Sequence, residues 1–328
     1  MTKLIHFLQF CIFAAVEIRK TEEGTVVKHT GSQYLVSKLP HWNVVTCVLK
    51  GKLRLKDSHT TNPVAVGDRV VYETEDGVTG VIKEVYPRRN YIIRKSTNLS
   101  RQAHIIASNL DQVFLIVTLD FPKTKLEFID RFLVTCEAYK VPVKILLNKA
   151  DLYTDEFEAE TERFYEIYGK SVGYEIIQTS GLTGLNLNEV RERCKDKLTL
   201  FSGVSGVGKS SLINALDPDL ALKTGDISDY HKMGKHTTTF YEIHPLESGG
   251  FIIDTPGIKG FGLLEMKPEE LSHYFPEMLR ILEKCRFTPC THTHEPGCAV
   301  KAAVETGEIL EERYYSYLSM LEDEEKYR

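Results

Sequence analysis

Gly203-Val204-Ser205-Gly206-Val207-Gly208-Lys209-Ser210-Ser211 separates the apolar run at 198–201 from Leu212-Ile213-Asn214-Ala215-Leu216. A strand, a loop and a helix in that order are the setting in which GxxxxGK[ST] marks a phosphate-binding loop. The glycines let backbone N–H groups turn inward. The positive end of the next helix adds to them, so a polyphosphate is cradled without bulky side chains. Lys209 is placed to reach the β- and γ-phosphates as a catalytic cation, and Ser210 to ligate Mg²⁺. Such a loop does not identify the base attached to the phosphates.

The base is specified by loops elsewhere in the chain. Asn148-Lys149-Ala150-Asp151 follows the strand-like Lys144-Ile145-Leu146-Leu147. A carboxylate at 151 accepts two hydrogen bonds, from guanine N1–H and the 2-amino group, a pattern adenine does not offer. Asn148 is positioned for the ring's other edge and the Lys149 stem for the base plane. The competing reading, a surface turn with Asp151 as a helix N-cap, loses ground once a phosphate loop belongs to the same sheet. Thr179-Ser180-Gly181 ends the next strand and has the form of a loop whose backbone N–H meets guanine O6. Phe251-Ile252-Ile253-Asp254-Thr255-Pro256-Gly257 is a strand running into DxxG, with Asp254 expected on Mg²⁺ through water and the Gly257 N–H on the γ-phosphate. Residues 225–236 lack any period and suit a mobile switch, ending in Thr237-Thr238-Thr239. There Thr237 or Thr238 is expected to complete the Mg²⁺ shell.

A different chemistry follows. Cys285, Cys290, His292 and Cys298 fall within fourteen residues. Three thiolates and an imidazole suit one closed, structural Zn²⁺, with His292 preferred over His294 as the fourth ligand.

These loops need a scaffold, and the pattern supplies one. Residues 112–119, 143–147 and 174–179 read as buried strands, and 126–139, 156–168 and 187–195 as helices. That alternation predicts a parallel sheet covered by helices on both faces. Ahead of it, segments at 25–28, 33–38, 44–49, 69–73, 80–85 and 91–94 are short, β-branched or aromatic, and separated by turn signals. They predict a small β-barrel of the oligonucleotide-binding type. Residues 96–110 read as a linker. Residues 268–284 and 299–321 read as helical, with Tyr314, Tyr315, Tyr317 and Leu318 as a packing face and a frayed acidic end from 322. The expected units are an N-terminal extension (1–22), the barrel (23–98), the nucleotide domain (105–262) and a zinc-binding helical domain (263–328).

Composition bounds the partners. The 328 residues are 42% hydrophobic and 27% charged, with a net charge of −5, as in ordinary soluble domains. Residues 21–104 carry 13 Lys/Arg against 8 Asp/Glu, whereas 105–328 carry 25 against 37. An anionic polymer is therefore expected at the front of the chain. Lys50, Lys52, Arg54 and Lys56 form one basic stripe, and Arg88, Arg89, Arg94, Lys95 and Arg101 a second set. Tyr34, Trp42 and Tyr91 are candidates to stack on RNA bases, or else pack the barrel. Four of the seven cysteines stand singly and three fall close together near the C-terminus, which favours a reducing compartment with one metal site over a secreted disulfide framework. Residues 4–16 have the outline of a signal peptide but read better as an extension or short surface helix.

The order of the loops is diagnostic. NKAD at 148 and Ser-Gly at 180 precede the phosphate loop, the reverse of the usual GTPase order, so the fold is expected to be circularly permuted. In that order, and with GTVVKHTGSQYLV at 24–36, NKAD at 148–151, GVSGVGKSSLIN at 203–214, KHTTT at 235–239, DTPG at 254–257 and the Cys/Cys/His/Cys cluster, the chain resembles the RsgA (YjeQ/EngC) family of circularly permuted GTPases over residues 24–320. The resemblance implies a cytoplasmic, monomeric enzyme without a membrane partner. It would bind the small (30S) ribosomal subunit and its rRNA through barrel and zinc module, hydrolyse GTP to GDP when docked, and assist late maturation. A nucleotide-dependent RNA-binding module with little hydrolysis, or a permuted GTPase for another assembly step, are the alternatives. Ile258 stands where many GTPases place a water-orienting Gln, so His236 is assigned that catalytic role. Gly206 stands where potassium-activated relatives carry Asn, so no strict K⁺ requirement is expected.

Overall fold

The computed structural model describes residues 20–49, 63–95, 103–221, 241–254 and 267–326. Strands β1 (Lys20–His29), β2 (Tyr34–Ser37), β3 (Val44–Leu49), β4 (Arg69–Thr74) and β5 (Thr79–Val85) close a barrel in the order β1-β2-β3-β5-β4. Only the β3–β5 pairing is parallel. Inward positions alternate along the strands, and Val26, Val36, Cys47, Val70, Tyr72 and Ile82 fill the interior. This is the expected oligonucleotide-binding type of barrel, with one strand fewer than the sequence pattern offered. The 91–94 segment leaves the barrel as β6 (Tyr91–Lys95) and pairs with β7 (Ala103–Ser108) in a separate ribbon. The stretch read as a linker therefore contains a strand, anchored by buried Ile105 and Ile106.

The same region corrects the charge reading. Arg88 donates from Nε and Nη2 to the two oxygens of buried Asp68, both at 2.7 Å. Arg89 reaches the Leu110 carbonyl and Asp111, each at 2.8 Å. Arg88 is spent inside the fold, whereas Arg89 ties down the chain just after β7 with its side chain still 60% exposed. Of the aromatics offered for base stacking, Tyr34 is buried against His29, Tyr91 packs on Tyr139, and Trp42 stacks on Phe251. The Lys50–Lys56 stripe, Arg101 and the 4–16 segment lie outside the described residues.

The second sheet has six strands in the order β10-β9-β8-β11-β13-β12. They are β8 (Gln112–Val117), β9 (Val143–Leu147), β10 (Ile176–Gln178), β11 (Leu198–Ser202), β12 (Ile243–Pro245) and β13 (Phe251–Asp254). All pairings are parallel except that of edge strand β12. β8 is buried along its whole length because helices cover both faces. Val113, Leu115 and Val117 meet α1 (Leu126–Ala138) in one core. Phe114 and Ile116 meet α3 (Leu187–Cys194) and α4 (Lys209–Leu216) in the other. The helix expected at 156–168 is α2 (Glu158–Phe164), which widens into a π-helix over Tyr165–Val172.

Barrel and sheet are joined by contact as well as by chain. Val27, Val66, Ile92 and Ile106 belong to the core that holds Tyr241, Ile243 and Ile253. Lys28 bridges Glu242 through the backbone, and its ammonium lies 2.5 Å from the Glu242 carboxylate. The Trp42 and Phe251 rings stack at 5.9 Å.

Beyond the sheet the chain is helical but broken. Helices α5 (Pro268–Leu271) and α6 (Pro276–Leu279) are separate because Phe275, ahead of proline, is extended. Helices α7 (Ala299–Glu305) and α8 (Glu311–Lys326) part at Gly307, whose φ is +76°. α8 continues through the acidic end expected to fray. Tyr317 is buried, whereas Tyr315 is exposed rather than packed. Among the described residues no helix is long and apolar enough to cross a membrane.

Candidate functional site

The described nucleotide loops all leave the carboxyl edge of the parallel sheet, where ligands of open α/β sheets bind. β11 delivers the phosphate loop, β9 delivers NKAD, β10 delivers Thr179-Ser180-Gly181, and β13 ends on Asp254. Residues distant in sequence are thereby neighbours, because β11 lies between β8 and β13.

Two glycines of the phosphate loop are dictated by close approach. A Cβ at Gly203 would lie 2.5 Å from the Ile116 carbonyl oxygen. At Gly208, where φ is +88°, it would lie 2.7 Å from Asn148 Nδ2. Val207 points into the core below, while Ser205 and Gly206 are exposed above it. The contact at Gly208 is the point at which the guanine loop touches the phosphate loop.

Asn148 is buried and ties three loops together. Its Nδ2 donates to the Val207 carbonyl at 2.8 Å, and its Oδ1 accepts from Thr179 Oγ1 at 3.1 Å. The contact expected with the ring's other edge therefore falls to the amide's remaining N–H. Lys149, at φ +63°, donates from Nζ to the Gly206 carbonyl at 2.8 Å and to the Phe121 carbonyl. This lays the stem along the mouth of the site. Ala150 N–H reaches the Thr179 carbonyl at 3.0 Å. Asp151 accepts from Ser180 Oγ, which itself accepts from the Leu182 and Thr183 amides. Ser180 thus fixes the carboxylate expected to read the base, a role not visible in its short motif.

On the phosphate side, Lys209 Nζ and Asp254 Oδ1 are 2.5 Å apart, with Lys209 nearly buried. The cation expected on the phosphates and the carboxylate expected on Mg²⁺ are thus within one contact of each other. His236, Thr237, Thr238 and Gly257 lie outside the described residues. The sequence reading missed the loop at 118–124, whose Phe121 carbonyl receives Lys149. A backbone carbonyl leaves no trace in residue type.

At the other end of the molecule Cys285, Cys290, His292 and Cys298 converge, with ligand atoms within 4.8 Å of one another. His292 Nδ1 is 3.4 Å from Cys298 Sγ and 3.7 Å from Cys285 Sγ. Zn–S and Zn–N bonds of about 2.3 and 2.0 Å put tetrahedral S···N edges at about 3.5 Å, so the four residues are compatible with one zinc ion. Burial and the neighbouring thiols of Cys298 and Cys285 push the Cys290 thiol up to about 12. A dication at the centre reverses that balance, because it favours thiolates. Tyr314 and Tyr317 of α8 brace the knuckle by donating to the His292 and Thr291 carbonyls at 2.6 and 2.8 Å. His294 is exposed and hydrogen-bonds Thr293, outside the cluster.

Comparison with known proteins agrees with this architecture. The family model described as RsgA GTPase matches residues 85–264, and that of the RsgA N-terminal domain matches residues 23–82. The chain is 53% identical over 308 residues to the small ribosomal subunit biogenesis GTPase RsgA of Bacteroides fragilis (strain YCH46), covering 93% of this chain and 99% of that one. It is 50% identical over 309 residues to the protein of the same name from Flavobacterium johnsoniae, covering 93% and 94%. The crystal structure of YjeQ from Thermotoga maritima superposes with a TM-score of 0.75 at 35% identity, covering 93% of this chain and 98% of that one. That of YloQ, a circularly permuted GTPase, gives 0.71 at 30% identity, covering 94% and 96%. With its barrel, its permuted loop order and these matches, the chain belongs to the RsgA GTPase family of GTP-hydrolysing enzymes.

Proposed function

We propose that this enzyme binds the small ribosomal subunit through rRNA contacts, assists its late maturation in the cytoplasm as a monomer without a membrane partner, and hydrolyses GTP faster when docked. The observation that carries the reading is the convergence of NKAD, Ser180 and the phosphate loop on one sheet edge, in a chain 53% identical to a relative named for small-subunit biogenesis. With Arg88 paired to buried Asp68, the barrel's RNA contact is assigned to Lys50, Lys52, Arg54 and Lys56.

In this reading the phosphate-loop amides at 203–208 and Lys209 hold the β- and γ-phosphates. Ser210 and Asp254 hold Mg²⁺ with Thr237 or Thr238, and Gly257 senses the γ-phosphate. When bound there, Mg²⁺ would offset the phosphate charge. Lys209 and Asp254, 2.5 Å apart, are the residues that would hold the phosphates and the metal. His236 orients the attacking water. The Cys285, Cys290, His292 and Cys298 cluster holds one structural Zn²⁺.

The test is GTP turnover measured separately with purified small and large subunits. Stimulation by the small subunit alone is the expected result. Stimulation by the large subunit, or absence of multiple turnover with either, rejects the reading. His236→Ala is expected to remove most of the stimulated turnover and leave GTP affinity nearly intact; turnover equal to that of the unaltered enzyme rejects the role. Asp151→Asn removes an acceptor of two charge-assisted hydrogen bonds and should weaken GTP binding about 10³-fold. It should also favour xanthosine triphosphate, whose 2-oxo group accepts where guanine donates. Fluorescent-nucleotide titration reads both changes.

A further inference from the structure

Tyr153 lies two residues past Asp151, outside every motif considered above. Its hydroxyl occupies a junction: it accepts from the Leu119 N–H at 2.9 Å and donates to the Asn148 carbonyl at 2.6 Å. These partners follow the ends of neighbouring parallel strands. The last bond between the two strand ends runs from the Asn148 N–H to the Val117 carbonyl at 2.9 Å. Beyond it the strands diverge into separate loops, and the Tyr153 oxygen continues the connection in place of a peptide group. The ring packs beside Phe157 at 5.5 Å. Burial pushes the phenol up to about 12, so it remains a donor across the physiological range.

The loop on the far side is equally built. Thr118 Oγ1 donates to the Pro122 carbonyl at 2.5 Å, Thr124 Oγ1 accepts from the Thr118 N–H at 3.0 Å, and the Thr124 N–H returns to the Thr118 carbonyl at 2.9 Å. Asp120 accepts from the Phe121 N–H at 2.8 Å. The outcome is a fixed Phe121 carbonyl facing the Lys149 ammonium, with the Gly206 carbonyl as its second acceptor. Lys149 is thereby held from the phosphate loop and from the 118–124 loop, and the backbone of Asn148 is held by Tyr153.

We propose that Tyr153 is a positioning residue for guanine recognition: by clamping the Leu119 amide to the Asn148 carbonyl, its hydroxyl sets NKAD against the 118–124 loop before any nucleotide arrives. The inference rests on reading NKAD as the guanine loop. A left-handed residue at 149, between two residues expected to contact the base, is costly to order at the moment of binding, and ordering it beforehand removes that cost from the affinity. The ligands served are guanine nucleotides irrespective of phosphate number, because the clamp itself, the Tyr153 hydroxyl with the Leu119 amide and the Asn148 carbonyl, uses no atom of the phosphate loop.

Tyr153→Phe keeps the ring and its packing on Phe157 and leaves a part-buried donor and acceptor without that partner. Dissociation constants for GTP and GDP are expected to rise together by about tenfold, with kcat at saturating GTP unchanged. The dissociation constant for inorganic tripolyphosphate, which has no base, should stay at the wild-type value. A merely structural tyrosine would weaken tripolyphosphate as well, and that result overturns the proposal, as do unchanged constants for both nucleotides. A second measurement needs no variant. In nucleotide-free protein the Leu119 amide should resist hydrogen exchange as strongly as with GDP bound, and exchange at the rate of an open loop overturns the clamp. The two readings fail separately. Equal wild-type affinity for ATP and GTP removes the guanine assignment, and the proposal with it. GTP preference together with a wild-type-like Tyr153→Phe removes the role of Tyr153 alone.

Discussion

Chelation of the Cys285–Cys298 cluster, or Cys298→Ser, is expected to unfold the C-terminal helical module while the parallel sheet stays folded. Between 268 and 305 the module has no long helix to nucleate it. α5 and α6 are four residues each, far below the length at which a helix persists alone. Its apolar core of Leu271, Phe275, Met278, Val300, Tyr317 and Met320 is assembled from pieces that the knuckle must first bring together. Cys298 also caps α7, its sulfur accepting from the Lys301 amide at 3.5 Å. Structural zinc contributes about 10 kcal/mol or more in isolated finger peptides, comparable with the whole stability of a domain. Limited proteolysis is the direct measurement, with cuts expected between 268 and 310 after chelation and protection regained on adding zinc. A module that resists protease without metal contradicts the assignment.

Arg313→Met is expected to cost about 3–5 kcal/mol, although it places an apolar side chain in a buried position. Arg313 is wholly buried in α8 and pairs with Asp130 of α1 at 2.5 Å and with Glu277 of α6 at 2.6 Å. Burial opposes the guanidinium charge, but Asp130 and Glu277 outweigh it and hold the group protonated. Tyr168 of the π-helix adds a donor to Asp130 at 2.8 Å, and the guanidinium carbon lies 4.7 Å from the Phe275 ring centre. Removing the cation strands two carboxylates out of water, which is the source of the loss. Adding Asp130→Asn and Glu277→Gln to Arg313→Met should recover most of it, since no uncompensated charge remains. Urea denaturation of the three proteins reads the cycle, and wild-type stability in the single variant contradicts it.

What the sequence made legible follows the range of the forces involved. The phosphate loop is readable because its turn geometry is written in its own residues, such as Gly208 at φ +88°. β8 is readable because both of its faces are apolar. The breaks at Phe275-Pro276 and Gly307 were also written locally, yet helical composition on either side masked them. Arg88 misled because its partner, Asp68, is twenty residues away; a paired arginine and a free one look alike in sequence. β7 was missed because 96–102 is polar and obscured the two buried isoleucines beyond it. Tyr153 and the Phe121 carbonyl had no signal at all, since the tyrosine grips main-chain atoms and the carbonyl is one.

The seam in which Val27, Val66, Ile92 and Ile106 share a core with Tyr241, Ile243 and Ile253 bears on how this chain divides. Cutting it between barrel and sheet bares an oily strip on both fragments, and the Lys28–Glu242 and Trp42–Phe251 clasps are lost with it. A shortened version lacking the front end would present that strip beside Asp254, where stickiness and altered turnover would be hard to tell apart. Point changes within the intact polypeptide are therefore the sounder way to learn what the barrel contributes to hydrolysis.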